Sequence, residues 1–193
     1  MFIDRAKIIV TSGAGGDGMV SFRREKYVPR GGPSGGDGGN GGSVIVVANP
    51  DLNTLVNFRR HRHFTANKGE NGGAKEMFGK NAEDVIVEVP LGTMIYDNKT
   101  GELLADMTQE GQKAVIVKGG HGGRGNSHFA TSAVRAPTLA EKGEPGEQKE
   151  IRLELKILAD VGLLGFPSVG KSSFLRKVSA AKPEVAAYHI TAL

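Results

Sequence analysis

Gly35-Gly36-Asp37-Gly38-Gly39-Asn40-Gly41-Gly42 repeats its glycines every three residues, and Gly119-Gly120-His121-Gly122-Gly123-Arg124-Gly125 does the same. An earlier tract, Ser12-Gly13-Ala14-Gly15-Gly16-Asp17-Gly18, spaces Gly13 with Gly16 and Gly15 with Gly18. Three is the period of a polyproline II helix, in which every third residue lines one edge. Glycine on that edge lets extended chains pack closely. The tracts are therefore expected to be polyproline II segments lying side by side, with Gly69/Gly72 and Gly143/Gly146 as further passes. Composition alone would offer disordered glycine-rich loops, but apolar, ordered-looking stretches flank every tract.

Between the tracts the chain reads as β-structure. Residues 2–11 alternate loosely, and Val44–Val47, Val85–Val89, Met94–Tyr96 and Ala114–Val117 are short, β-branched and bounded by Gly, Pro or Asn-Asp turns. Asp97-Asn98-Lys99-Thr100-Gly101 has hairpin-turn chemistry. Ile151–Ile157 alternates strictly and closes the series. With no helical pattern between the strands, an antiparallel sandwich or barrel is expected. The literal string G-x-G-x-x-G falls at Gly13, Gly15 and Gly18, but it recurs at Gly36/Gly38/Gly41 and Gly120/Gly122/Gly125. No capped helix follows the first copy, so a dinucleotide-binding turn is rejected.

A different chemistry begins near residue 158. Gly165-Phe166-Pro167-Ser168-Val169-Gly170-Lys171-Ser172 is a complete G-x-x-x-x-G-K-[ST] phosphate-binding loop. Its glycines let consecutive N–H groups turn around a phosphate, Lys171 puts a point charge over the β/γ oxygens, and the Ser172 hydroxyl suits Mg²⁺. Val161–Leu164 enters the loop as a buried strand would, and Ser173–Val178 leaves it with helical spacing before Pro183. Residues 1–158 are expected to form one domain, and 159–193 the first strand, loop and helix of a second, α/β domain.

The chain has 193 residues, no cysteine and a formal charge of +4. Neither disulfides nor thiolate metal sites can form, which fits a reducing cytoplasm. No signal peptide or membrane span is evident. The modest charge is divided: residues 20–80 carry ten Lys/Arg against five Asp/Glu, and residues 82–113 two against seven. A basic surface of this kind tends to meet phosphate backbones, unless the acidic stretch folds over it. Its candidate contacts are Arg23, Arg24, Lys26 and Arg30, then Arg59, Arg60 and Arg62, then Arg124. Phe22, Tyr27, Phe58 and Phe64 are interleaved with these charges, either to stack on bases or to anchor the core. The histidines have no metal-ligand spacing.

Several long motifs then coincide: Phe22-Arg23-Arg24-Glu25-Lys26-Tyr27-Val28-Pro29, Gly31–Gly39, Gly122–Ser127, Glu141–Gly146 and Leu158–Ser172. Together they make the chain, from first residue to last, resemble the Obg/CgtA family of bacterial GTPases. The resemblance implies an Obg domain, polyproline II helices set on a β-barrel, followed by a Ras-like GTPase domain. It also implies GTP and GDP as ligands, Mg²⁺-dependent hydrolysis, the large ribosomal subunit and its rRNA as partners, and a link to stress and growth control. Carried over residue by residue, nucleotide contacts fall on Gly165 to Ser173 and on Ile190 and Thr191, with Lys171 catalytic and Ser172 on the metal.

Two departures qualify that transfer. The family continues into a full catalytic domain, whereas this chain ends inside what would be switch I. Where the family carries a Thr-Thr pair before Leu, this chain has Thr191-Ala192-Leu193, so Ala192 stands at the family's Mg²⁺-binding threonine and Thr191 is the alternative ligand. A monomer is expected, with little hydrolysis from this chain alone. An rRNA-binding module without catalysis and a structural glycine scaffold are the competing readings.

Overall fold

The computed structural model describes residues 4–23, 31–156, 162–164 and 190–192, the last two stretches by backbone alone. The chain divides into two compact units, Met1–Lys156 and Ile157–Leu193.

The first unit is mainly β. Strands β1 (Arg5–Thr11), β2 (Val44–Asn49), β3 (His63–Thr65), β4 (Val85–Pro90), β5 (Thr93–Asp97), β6 (Leu103–Met107), β7 (Lys113–Val117) and β8 (Gln148–Leu155) are joined by a one-turn helix α1 (Asn57–Arg60) and a 3-10 turn at Asn126–Phe129. They form a five-stranded sheet, β3-β1-β8-β5-β6, and a three-stranded sheet, β4-β2-β7. Alternation sends every second residue inward. Ile8 and Val10, Ile95, Ile151 and Leu153 from one sheet meet Val44 and Val46, Val87 and Val89 from the other in a single apolar cluster.

Two pairings depart from the antiparallel expectation: β1–β3 and β2–β4 are parallel. Parallel neighbours need a long crossover, usually a helix, and the sequence shows no helical pattern there. Glycine segments make the crossovers instead, running out from the sheets and back. The hairpin at 97–101 forms as read: Asp97 Oδ1 accepts the Lys99 and Thr100 N–H groups at 2.7 and 3.1 Å, and Gly101 closes the turn at φ +74°. Strand β6, which follows it, has no alternation in Leu-Leu-Ala-Asp-Met and carried no strand signal.

Six segments extend from the sheets: 12–19, 34–43, 66–73, 76–85, 119–126 and 141–147. Neighbouring segments are joined by backbone hydrogen bonds at every third residue. Gly13, Gly16 and Met19 donate to Gly42, Gly39 and Gly36 at 2.8, 2.8 and 3.0 Å, so the first two segments are antiparallel. Ala66, Gly69 and Gly72 donate to Thr11, Ala14 and Asp17, so the third runs parallel to the first. Ser12, Gly15 and Gly18 donate to Glu147, Glu144 and Glu141 of the sixth. The backbones are too close for side chains between them. A Cβ on Gly13 would meet the Asn67 carbonyl and one on Gly15 the His121 carbonyl; with these two, twenty of the glycines in the segments are confined by backbone in this way.

One N–H in each triplet is left for a side chain. Asp37, Asn40 and Ser43 accept from Gly125, Gly122 and Gly119 at 2.7, 2.9 and 3.1 Å. Asn81 and Asp84 take the N–H groups of Asn40 and Ser43, both at 2.7 Å. These polar residues complete the hydrogen bonding of a glycine-lined interior, as burial requires. Among the described residues no helix is long and apolar enough to cross a membrane.

Candidate functional site

In the second unit, β9 (Gly162–Leu164) stands immediately before the phosphate-loop motif and pairs antiparallel with β10 (Ile190–Ala192). Ile190 is opposite Leu164 and Thr191 opposite Leu163, so both candidate switch residues lie beside the strand that enters the loop. Gly165, Phe166, Pro167, Ser168, Val169, Gly170, Lys171, Ser172 and Ser173 lie outside the described residues. By donor chemistry, a lysine ammonium and a serine hydroxyl following consecutive loop amides suit a phosphate and its Mg²⁺.

The basic residues of the first unit occupy different parts of it. Phe58 is buried and its ring lies 5.9 Å from Phe64, which packs against the core. Phe58 thereby anchors α1, leaving Arg59 and Arg60 on its exposed side. Arg62 follows, its Nε donating to the Arg59 carbonyl at 3.2 Å. His61 packs edge-on against Phe64 at 5.1 Å. The core-anchor alternative thus holds for Phe58, and the charges beside it remain at the surface.

Arg23 and Arg124 sit at the far end of the glycine segments, about seven residues of extended chain, roughly 20 Å, from the sheets. Each meets an acid: Arg23 with Glu76 at 3.1 Å and Arg124 with Glu141 at 4.0 Å. Both partners are half-exposed, so the pairs contribute little to stability and leave the guanidinium groups accessible. Arg24, Lys26 and Arg30 lie outside the described residues. A polar groove of about 300 Å³ opens between the third and fourth segments, with Asn67, Lys68, Glu70, Lys80, Asn81 and Glu83 around it. Among the described residues no cluster of His, Cys, Asp or Glu could hold a metal ion.

The outer end holds features the sequence did not flag. Met19, Val20, Met77 and Phe78 are exposed there, Phe78 by 71% and Met77 by 60%. Met19 and Met77 run beside Gly35 and Gly36, where an added Cβ would meet their backbone carbonyls. The turn presenting Met77 passes through Lys75 and Glu76, both at φ +60°, a conformation that costs a non-glycine residue about 1–2 kcal/mol. Behind this rim Asn126 is fully buried. Its Oδ1 accepts from Gly35 at 2.8 Å and Ser21 at 3.4 Å, and its Nδ2 donates to the Ser21 and Pro137 carbonyls, each at 3.0 Å. Beside it, His128 Nε2 lies 2.8 Å from Asp37 Oδ2. Asn126 belongs to a quoted motif, yet nothing in its spacing marks it as the residue that joins four stretches of chain.

Comparison with known proteins gives one consistent result. The family model described as GTP1/OBG matches residues 3–157. The whole chain is 61% identical to a protein named GTPase Obg from Geobacillus thermodenitrificans, 60% to one of the same name from Halalkalibacterium halodurans, and 58% to one from Desulfitobacterium hafniense. The chain covers 45%, 45% and 46% of those relatives, so it spans about half the length of the curated relatives it matches.

Proposed function

The chain belongs to the GTP1/OBG family, and on that premise we propose that its protein is a Mg²⁺-dependent GTPase acting in assembly of the large ribosomal subunit and in growth control. The observation that carries the nucleotide reading is the unbroken Gly165–Ser172 motif, entered by strand β9. In this reading Lys171 and the loop amides stabilise charge on the β- and γ-phosphates, and Ser172 holds Mg²⁺. Ile190 and Thr191 close over the nucleotide; Ala192 lacks the hydroxyl that the family brings to Mg²⁺, and Thr191 is the candidate to replace it. Guanine is supported by the relatives' name, since the chain holds no base-reading motif. The division of labour is between a domain at 1–158 and a nucleotide domain beginning at 159. Residues 1–193 alone are predicted to bind nucleotide weakly and turn over little GTP, because two short strands, one loop and one expected helix cannot preorganise a site. Titration with fluorescent GTP tests this: micromolar or tighter binding that is lost in Lys171→Ala would refute it.

The six-segment assembly supports a docking role. Its triplet hydrogen bonding and glycine spacing fit six polyproline II helices packed as a rigid body. Such a body keeps a rim of apolar and basic side chains, Met19, Arg23, Met77 and Phe78 among them, in fixed array away from the sheets. That combination suits rRNA, where stacking and phosphate neutralisation act together. Affinity for large-subunit rRNA should fall steeply with salt, and should drop further when Arg23 and Arg124 at this rim are neutralised together, more than when Arg59, Arg60 and Arg62 are. Salt-independent affinity would favour the structural-scaffold reading. On this reading the protein acts in the cytoplasm, where its proposed partner is.

A further inference from the structure

The outer face of the three-stranded sheet presents an apolar row in water. Ile45 of β2 pairs with Ile86 of β4 on one side and Val115 of β7 on the other, so the three β-branched side chains lie in line across all three strands. Ile86 and Val115 are each 59% exposed. One step along, Val47 pairs with Glu88 and Lys113, giving a second row with an acid at one edge and a base at the other. Both charged residues are exposed. Alternation on a half-buried sheet normally puts polar side chains outward; here the outward positions nearest the segments are apolar.

We propose that this face, through Ile45, Val47, Ile86 and Val115, is where two copies of the chain associate. The charge pattern selects the second copy as occupant. A two-fold axis parallel to the strands would lay β4 of one copy over β7 of the other. That places Glu88 opposite Lys113 of its partner twice over, Ile86 opposite Val115, and Ile45 and Val47 opposite themselves. A two-fold axis across the strands would instead lay β4 on β4 and β7 on β7, so that Glu88 faces no lysine. Only the first arrangement is self-complementary, as an isologous contact requires, and it is the aligned stacking that twisted sheets adopt. Three short strands offer far less than the ~800 Å² per partner of a stable interface. The association is therefore weak, with a dissociation constant on the order of tens of micromolar, and the chain is a monomer when dilute.

Sedimentation equilibrium of the 193-residue chain from ~1 to ~300 µM tests the proposal. A monomer–dimer equilibrium is expected, lost in Val115→Lys. Glu88→Lys alone and Lys113→Glu alone should each weaken it about tenfold, because each alters two facing pairs. The double variant Glu88→Lys/Lys113→Glu should return it to within about twofold of the parent. All four variants change exposed side chains, and superposable circular dichroism melts would show that the fold is kept. A chain monomeric throughout the range, a dimer indifferent to Val115→Lys, or single charge variants that behave like the parent would each overturn it. An interface elsewhere on the chain, or cover by another protein, would give one of those three results.

Discussion

Asn126→Ala should be the most damaging polar substitution among the described residues. The side chain is fully buried and makes four hydrogen bonds that tie Ser21, Gly35 and Pro137 to the fifth glycine segment. Truncation leaves the Gly35 N–H buried without an acceptor, at a cost of ~1–3 kcal/mol. Losing the Nδ2 bonds to the Ser21 and Pro137 carbonyls adds about 1 kcal/mol each, and the 3.4 Å contact with Ser21 adds little. The sum, roughly 3–5 kcal/mol, is a large share of the ~5–15 kcal/mol that holds a domain together. It corresponds to a fall in melting temperature of roughly 10 °C at this size. Urea unfolding would read the loss as a lower midpoint with unchanged slope, and amide exchange would show Gly35 losing protection. Asn126→Asp sharpens the test. It keeps the acceptor for Gly35 but turns a carboxylate oxygen toward two carbonyls, which favours the protonated acid and raises its folded pKa. Stability of that variant relative to the parent should improve as pH falls and be lost as pH rises. A loss below about 1 kcal/mol in Asn126→Ala, with Gly35 still protected, would refute the account.

Gly15→Ala should prevent the glycine segments from assembling, since its Cβ meets the His121 carbonyl and backbone cannot move aside cheaply. Gly111→Ala, at φ +67° with open space around it, should cost only ~1–2 kcal/mol; paired thermal melts compare the two. Asp97 has its pKa lowered by the Thr100 and then the Lys99 N–H bonds, with smaller help from Lys149. Its contribution is therefore complete above the ordinary aspartate range and lost as pH falls through the lowered folded value. The stability gap between parent and Asp97→Asn should shrink on acidification from pH 7 to below pH 4, and a gap that widens would contradict this. Phe58→Ala should cost ~3–5 kcal/mol by emptying a core position and release α1 with its arginines, seen as lost exchange protection at His61, whose N–H closes on Asn57.

Local conformation was written plainly in the chain. The alternation of Val85–Val89 and the Asp97–Gly101 turn each report a backbone shape within a few residues, and the triplet glycines of 13–18, 35–42 and 119–125 mark where backbones pack too closely for side chains. The fourth segment, with Gly79 alone, carried no triplet to read. The Gly165–Ser172 motif is defined by residue type and spacing alone, so it needs no distant partner to be recognised. What escaped was every choice of neighbour. A pattern that repeats every three residues looks the same after a slip of three, so it cannot say which glycine segment lies beside which, or in which direction. Long-range contacts decide that: the parallel pairing of β1 with β3 and β2 with β4, the amide groups met by Asp37 and Asn40, and the buried carboxamide of Asn126. The same holds for charge. Arg23 and Arg59 sit in one basic stretch of sequence, yet the fold carries them to opposite ends of the unit, because the distance between side chains is set by how the segments turn back and not by their order along the chain.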